Sequence, residues 1–362
     1  MNTRQRKRAL VLSGGGGRGA YHIGVLRFLQ EHEWFPDVVV GTSIGAVNGA
    51  AIASGHDAHS LWALWRRLDT KQVQKANLNP LAGNFLLDTA PLRQTLLREG
   101  WVDFARINSA EARVHLRVTA MEVETGRLCV FGNSADVFPS QVRQEPLTLD
   151  HIIASCSIPI VYPATTVHET LYWDGGTVAN TPLSPAIDAG AEEIVVVLMT
   201  PWEDDDEAGE IANKPRSLLD AAGAAFEWAL LASFQADLKL FRRVNQLVRL
   251  QLQNARLQAA NTLPRQQLAG EPLPPLADAD HNGVPDILEK SWQDLPEPII
   301  VAPRRPIPVE QIISYTAAGH ERVYQLGYED ARRAWRASGR TVEGSGGRQL
   351  PAEGKESNED SR

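Results

Sequence analysis

The run from Asp37 to Ala51 limits what this chain can fold into more than any other. It passes from three β-branched residues, Val38, Val39 and Val40, through Gly41-Thr42-Ser43-Ile44-Gly45 into the small residues Ala46, Gly49, Ala50 and Ala51. The valines read as a buried strand, and the small residues, with Ala53, as a helix smooth enough to lie close on a sheet. Gly-x-Ser-x-Gly between them is the pattern of a nucleophile elbow, a sharp strand-to-helix turn with a serine at its apex. Such a turn needs residues without side chains two positions away on either side, and Gly41 and Gly45 stand there. The helix that follows points free N–H groups and its positive dipole end at the serine. In a chain with 28 glycines the pentapeptide alone is equally compatible with coincidence, so its surroundings decide.

Those surroundings are bounded by composition. With 362 residues, 43% of them hydrophobic, the chain can bury the core of one large α/β domain or two smaller ones. A net charge of −8 argues against nucleic acid as a main partner, because phosphate neutralisation needs a surplus of Lys and Arg. The two cysteines, Cys129 and Cys156, make neither a disulfide framework nor a metal-ligand spacing and read as buried small residues. Basic residues from Met1 to Arg8 run straight into Ala9-Leu10-Val11-Leu12 without the apolar core of a signal peptide. The most apolar stretch, Ile152 to Val167, is interrupted by Pro159 and Pro163, so no transmembrane run is expected. The expectation is a soluble, cytoplasmic protein whose membrane contact is peripheral.

Residues 8 to 12 read as a strand, Ser13-Gly14-Gly15-Gly16-Gly17-Arg18-Gly19 as a glycine loop, and the stretch to about Glu33 as a helix with Tyr21, Val25, Phe28 and Leu29 on one face. With the elbow this makes a βαβα opening, which predicts a mostly parallel sheet covered by helices on both faces, a three-layer α/β/α domain over 8–337. Residues 57 to 100 read as cover helices with an amphipathic face of Trp62, Leu64, Trp65 and Leu68, a core-facing stripe or else a lipid-facing surface, and with a loop near Asn77 to Pro80. Strands are expected at 113–121 and 127–131, joined in a hairpin through Glu124-Thr125-Gly126, and again at 194–199 and 298–303. The acidic run Glu203 to Glu207 reads as a solvated loop. A long helix over 217–257 carries Phe226, Leu230, Phe234, Leu238, Phe241, Val248 and Leu252, a stripe that packs on the sheet or forms a lid or membrane-contact helix. A last helix is expected over 308–337, and a disordered tail rich in Gly, Ser and Glu over 338–362.

Three segments carry chemistry beyond the elbow. Gly14, Gly16 and Gly19 fit the dinucleotide fingerprint, but the acidic residue wanted at the end of the second strand is replaced by Gly41-Thr42-Ser43. The same loop also suits an oxyanion hole, with the bare N–H groups of Gly15, Gly16 and Gly17 and the charge of Arg18 near the serine. Asp174-Gly175-Gly176 is a constrained turn that presents a carboxylate. In the Pro-rich insertion at about 261–298, Asp278, Asp280, Asn282, Asp286 and Glu289 occupy the ligand positions of a twelve-residue calcium loop, with Gly283 at its turn. Leu273-Pro274-Pro275 forbids a normal entering helix and Pro285 replaces an aliphatic residue. The segment therefore reads as an isolated structural calcium loop or as an acidic surface turn.

Taken in order, the glycine loop at 14–19, Gly41-Thr42-Ser43-Ile44-Gly45 and Asp174-Gly175-Gly176 resemble the patatin-like phospholipases, a family of lipid acyl hydrolases. Ser157-Ile158-Pro159 with Tyr162-Pro163, Asn180-Thr181-Pro182-Leu183 and Leu326-Gly327-Tyr328-Glu329-Asp330-Ala331 are also similar to family sequences. The resemblance implies a Ser-Asp dyad with Ser43 as nucleophile, Asp174 as base and the 14–19 loop as oxyanion hole, acting on a lipid or phospholipid at a membrane surface without a catalytic cofactor. A carboxylate of ordinary pKa is a poor base, so Asp174 has to be desolvated. A triad through His22 or His168, a dinucleotide-dependent oxidoreductase, and a non-catalytic lipid- or calcium-binding protein are the alternatives left open at this level.

Overall fold

Alternation of side chains along each strand sorts the core into two faces of one sheet. The computed structural model describes residues 6–80, 84–98, 100–138, 142–202, 218–261 and 294–340. Its nine-stranded sheet contains β1 (Arg8–Leu12), β2 (Val38–Thr42), β3 (His115–Glu122), β4 (Leu128–Gly132), β5 (Val142–Gln144), β6 (Thr165–Val167), β7 (Thr170–Asp174), β8 (Glu193–Val197) and β9 (Ile299–Val301). The main path runs β9-β8-β1-β2-β3-β4-β5. From β9 to β3 every pairing is parallel, whereas β4 and β7 both run antiparallel to β3.

Leu10, Leu12, Val39, Val195 and Val197 point to one face, and Ala9, Val11, Val38, Val40 and Val196 to the other. The first face is covered by α1 (Ala20–Glu31), α2 (Ile44–Ala53), α3 (Ala58–Trp65), α4 (Ala90–Arg98) and α5 (Leu149–Ser155). On the second face lie α6 (Ser184–Asp188) and α7 (Leu218–Asn261), the latter through Phe234, Leu238 and Phe241. The stripe of the long helix thus faces the sheet; the side chains of Phe226 and Leu230 lie outside the described residues. A last helix, α8 (Ala317–Ala337), returns to the first face.

Close contact between α1 and α8 depends on two glycines. A Cβ on Gly24 would lie 1.9 Å from the carbonyl oxygen of Tyr324, and one on Gly327 would lie 2.1 Å from that of Tyr21. The crossing is tied by Tyr21, whose hydroxyl donates to Oδ2 of Asp330 at 2.8 Å in a buried setting. Trp62 stacks on Tyr324 with centroids 4.1 Å apart, and Trp65 is fully buried, so the tryptophan face of α3 is a core face.

Three details depart from expectation. The last helix does not start near Pro308: Val309–Ile312 form a 3-10 turn, and Thr316 then caps α8 by accepting from the N–H of Gly319. A short antiparallel ribbon pairs Lys75–Ala76 with Leu87–Asp88, on either side of the expected loop at 77–80, where cover helix was expected. The long helix extends to Asn261 rather than 257. The acidic run at 203–207, the calcium-like loop at 278–289 and the tail beyond 340 lie outside the described residues.

Candidate active site

The register of β3 brings the two ends of the site together. On one side of β3, β2 climbs in parallel and stops with Thr42 opposite Thr119. The next residue of β3, Ala120, pairs with Asp174, where β7 comes down antiparallel. Ser43 therefore leaves its strand where Asp174 ends its own, although 130 positions of chain lie between them. The hydroxyls of Thr42 and Thr119 share a 2.6 Å hydrogen bond that pins this junction.

At Ser43 the backbone turns with φ 56° and ψ −125°, a conformation that favours glycine and stores strain in any other residue. Ser43 is the N-cap of α2, as the elbow pattern requires. Both flanking glycines are sterically obligatory. A Cβ on Gly41 would stand 2.4 Å from the carbonyl oxygen of Gly45, and one on Gly45 would stand 2.3 Å from that of Leu12. The backbone N–H of Ser43 donates to Oγ of buried Ser155 at 2.8 Å, so the end of α5 braces the strained residue.

Asp174 is only 3% exposed. Its N–H donates to the carbonyl of Ser157 at 2.9 Å, and its Oδ1 accepts from the N–H of Gly176 at 2.8 Å. Burial pushes the carboxyl up to about 7, while hydrogen bonds from the Ser43 side chain and the Gly176 N–H pull the other way. Gly175 sits where a Cβ would meet Oγ1 of Thr119 at 2.5 Å, so the turn after Asp174 presses directly on β3. Burial first, and then the charge of Asp174, hold the thiol of Cys156 well above its usual range, leaving it protonated beside the carboxylate.

The glycine loop follows β1 at the same carboxyl edge of the sheet. A Cβ on Gly14 would lie 3.0 Å from Cβ of Ser43, so loop and elbow touch. The N–H of Gly14 is taken by Oδ1 of Asn180 at 2.7 Å. Gly16–Gly19 form a 3-10 turn, whose first donors have no acceptor within the turn. Among the described residues, no backbone hydrogen bond of the loops and turns is donated by Gly15, Gly16 or Gly17. Arg18 is buried, and its guanidinium donates to the carbonyls of Gly15 and Ile307. Carbonyls of Gln311, Ile312 and Ser314 lie so close to Gly16 and Gly17 that a Cβ on either would clash at 1.9–2.4 Å. Residues 311–314 thus pack directly on the Cβ side of the loop.

The two histidines considered for a triad bond elsewhere. His22 is buried on α1 with Nδ1 against Asn48, and burial pushes it down to about 3. His168 is exposed in the β6–β7 turn and pairs with Glu145, which also bonds His151. Ligand atoms of these three lie within 4.8 Å of one another. The backbone N–H of Thr148 donates to Nδ1 of His151, which puts the ring proton on Nε2, facing Glu145. Hydrogen bonds therefore account for this trio.

Ser155, Ser157 and Asn180 are site residues that pattern reading did not single out by role. Their signal lay in the segments flanking Pro159 and Pro182, but hydroxyl, carbonyl and amide braces have no spacing rule of their own.

Residues 10–187 match the family model described as Patatin-like phospholipase. A patatin-like phospholipase domain-containing protein of Caenorhabditis elegans is 34% identical over 122 residues, which are 29% of this chain and 9% of that protein. A lysophospholipase of Candida albicans is 26% identical over 52% of this chain and 13% of its own length. Triacylglycerol lipase 4 of Saccharomyces cerevisiae is 27% identical over 44% of this chain and 19% of its own length. The chain thus spans under a fifth of each of these relatives. Through residues 10–187 it belongs to the patatin-like phospholipase family.

Proposed function

We propose that the protein hydrolyses a carboxylic ester of a phospholipid or related lipid through an acyl-Ser43 intermediate, with Asp174 as the base. The observation that carries this reading is the meeting of a strained serine with a buried carboxyl raised to about 7. A carboxylate of that basicity can accept a serine proton near neutral pH, as one near 4 cannot.

In this scheme the Ser43 oxygen attacks the ester carbonyl as its proton passes to Asp174. Negative charge gathers on the carbonyl oxygen, where the N–H groups of Gly15, Gly16 and Gly17 receive it. Arg18 braces that loop through the Gly15 carbonyl and adds positive charge behind it. Collapse breaks the ester C–O bond, Asp174 returns the proton to the leaving alcohol, and the acyl group stays on Ser43. Water, deprotonated by Asp174, then attacks the acyl-serine; the bond from the acyl carbon to the Ser43 oxygen breaks, Asp174 returns the proton to that oxygen, and the fatty acid leaves.

Ser43→Ala and Asp174→Asn are expected to lose at least about a thousandfold in turnover of a chromogenic fatty-acyl ester while keeping the wild-type circular dichroism spectrum. Near-normal turnover in either variant contradicts the dyad. Among the relatives, one is named a lysophospholipase and another a triacylglycerol lipase, so the head group is a matter for a substrate panel.

A further inference from the structure

An apolar rim stands beside the candidate site, built from two segments fastened to each other. The N–H groups of Leu86 and Leu87 donate to the carbonyls of Ile160 and Val161 at 2.9 and 2.8 Å. Just beyond them, the buried hydroxyl of Tyr162 bonds to Gln74, and burial first, then the nearby Cys156 and Asp174, raise the phenol. Gln74 in turn donates to the carbonyl of Ile313, in the segment that covers the glycine loop. The ribbon, the 160–162 turn and the cover of the loop therefore form one frame that reaches from Asp174 to the glycine loop.

That frame holds its apolar residues outward. Leu78 is 98% exposed, Ile160 72% and Leu86 53%. Single exposed leucines are ordinary, but three on adjoining, hydrogen-bonded segments are not. Ile160 is the sharper observation, since it is a β-branched residue at φ 69°, in the region such side chains avoid. A strained backbone that keeps a large apolar side chain in water is the arrangement expected where the side chain has a partner.

Charge identifies the partner. The segment 66–75, which leads into the ribbon, carries Arg66, Arg67, Lys71 and Lys75 against the one acid Asp69, in a chain of net charge −8. All four cations are exposed, and the pairing of Lys75 with Asp88 at 3.2 Å is solvent-screened. Apolar tips with cations behind them match the acyl boundary and the anionic head groups of a membrane surface. We propose that Leu78, Leu86 and Ile160 insert into the surface of an anionic lipid bilayer, with Lys71 and Lys75 on its head groups, and so hold the mouth of the site against its substrate. The choice of a lipid surface rests on the lipid-ester reading; the rim itself does not.

The test is co-sedimentation of the full chain, in a Ser43→Ala background, with vesicles of phosphatidylcholine with or without one-fifth phosphatidylglycerol. Two rim variants are compared, Leu78→Ser with Leu86→Ser, and Ile160→Asn, which is apolar no longer yet suits a positive φ. Each is expected to lower vesicle partitioning at least tenfold while leaving the thermal midpoint intact. With Ser43 restored, each is expected to turn over a water-soluble short-chain ester like the wild type. Lys71→Glu with Lys75→Glu is expected to abolish the preference for phosphatidylglycerol. The proposal is overturned if the parent does not partition, if both rim variants partition as the parent does, or if they alter only the oligomeric mass. Vesicle binding without any turnover of the soluble ester overturns the hydrolase reading and leaves the docking surface standing.

Discussion

Asp174 is the residue on which the chemistry turns, and its burial has consequences that can be measured separately from activity. A base with pKa about 7 must be ionised to work, so kcat/KM for a soluble ester is expected to rise through pH 7 and level off above it. The stability effect has the opposite sign. Folding raises this carboxyl above its ordinary value of 3.8, so between about pH 4 and 7 the native state holds the extra proton and stability falls as pH rises. The full span is on the order of 4 kcal/mol. Asp174→Asn keeps an acceptor for Gly176 without the buried charge, so its stability advantage over the wild type is expected to be near zero at pH 4 and largest at pH 8. Urea melts at both values check this; an advantage that shrinks with pH contradicts the buried-carboxylate account. Ser43 and Asp174 were both legible as residues, because each sits in a glycine-bounded turn with few structural uses. Their braces were not, since Ser155, Ser157 and Asn180 act through single hydrogen bonds whose partners are distant in sequence.

Among the elements, glycines decide which pieces can touch. Gly45→Ala would push a Cβ into the Leu12 carbonyl, and Gly327→Ala would push one into that of Tyr21, with backbone on both sides of each clash. Both are expected to destabilise by about 3 kcal/mol or more. Gly126→Ala, in the β3–β4 turn, has open space around it and only its φ of 67° against it, so a loss near 1 kcal/mol is expected. Chemical denaturation of the three variants checks the order; equal losses contradict the packing argument. Strands and the first two helices were readable because β-branched runs, glycine turns and a proline stop each speak locally. The start of α8 was not, because residues 309–316 follow the glycine loop they cover rather than their own helical pattern. Nor was the lane shared by β2 and β7, which depends on the length of β3 beyond its pairing with β2.

For the molecule as a whole, the glycine loop posed the choice between two functions. Its sequence suits either a pyrophosphate or an oxyanion; its surroundings favour the second, because the loop touches the elbow, with the Cβ position of Gly14 3.0 Å from Cβ of Ser43. Millimolar NAD or NADP is expected to leave the thermal midpoint unchanged, and a concentration-dependent rise would restore the dinucleotide reading. The fold class was legible from the βαβα opening, while the antiparallel side strands that deliver Asp174 to Ser43 were not. The central claim is that Ser43 is a nucleophile activated by Asp174, and the most direct measurement is labelling by a fluorophosphonate probe followed by mass mapping. The expected result is one label per chain, on Ser43, forming faster as pH rises through 7 and slowed at least a hundredfold by Asp174→Asn. Absence of labelling, a label on another residue, or an undiminished rate in Asp174→Asn would contradict the account.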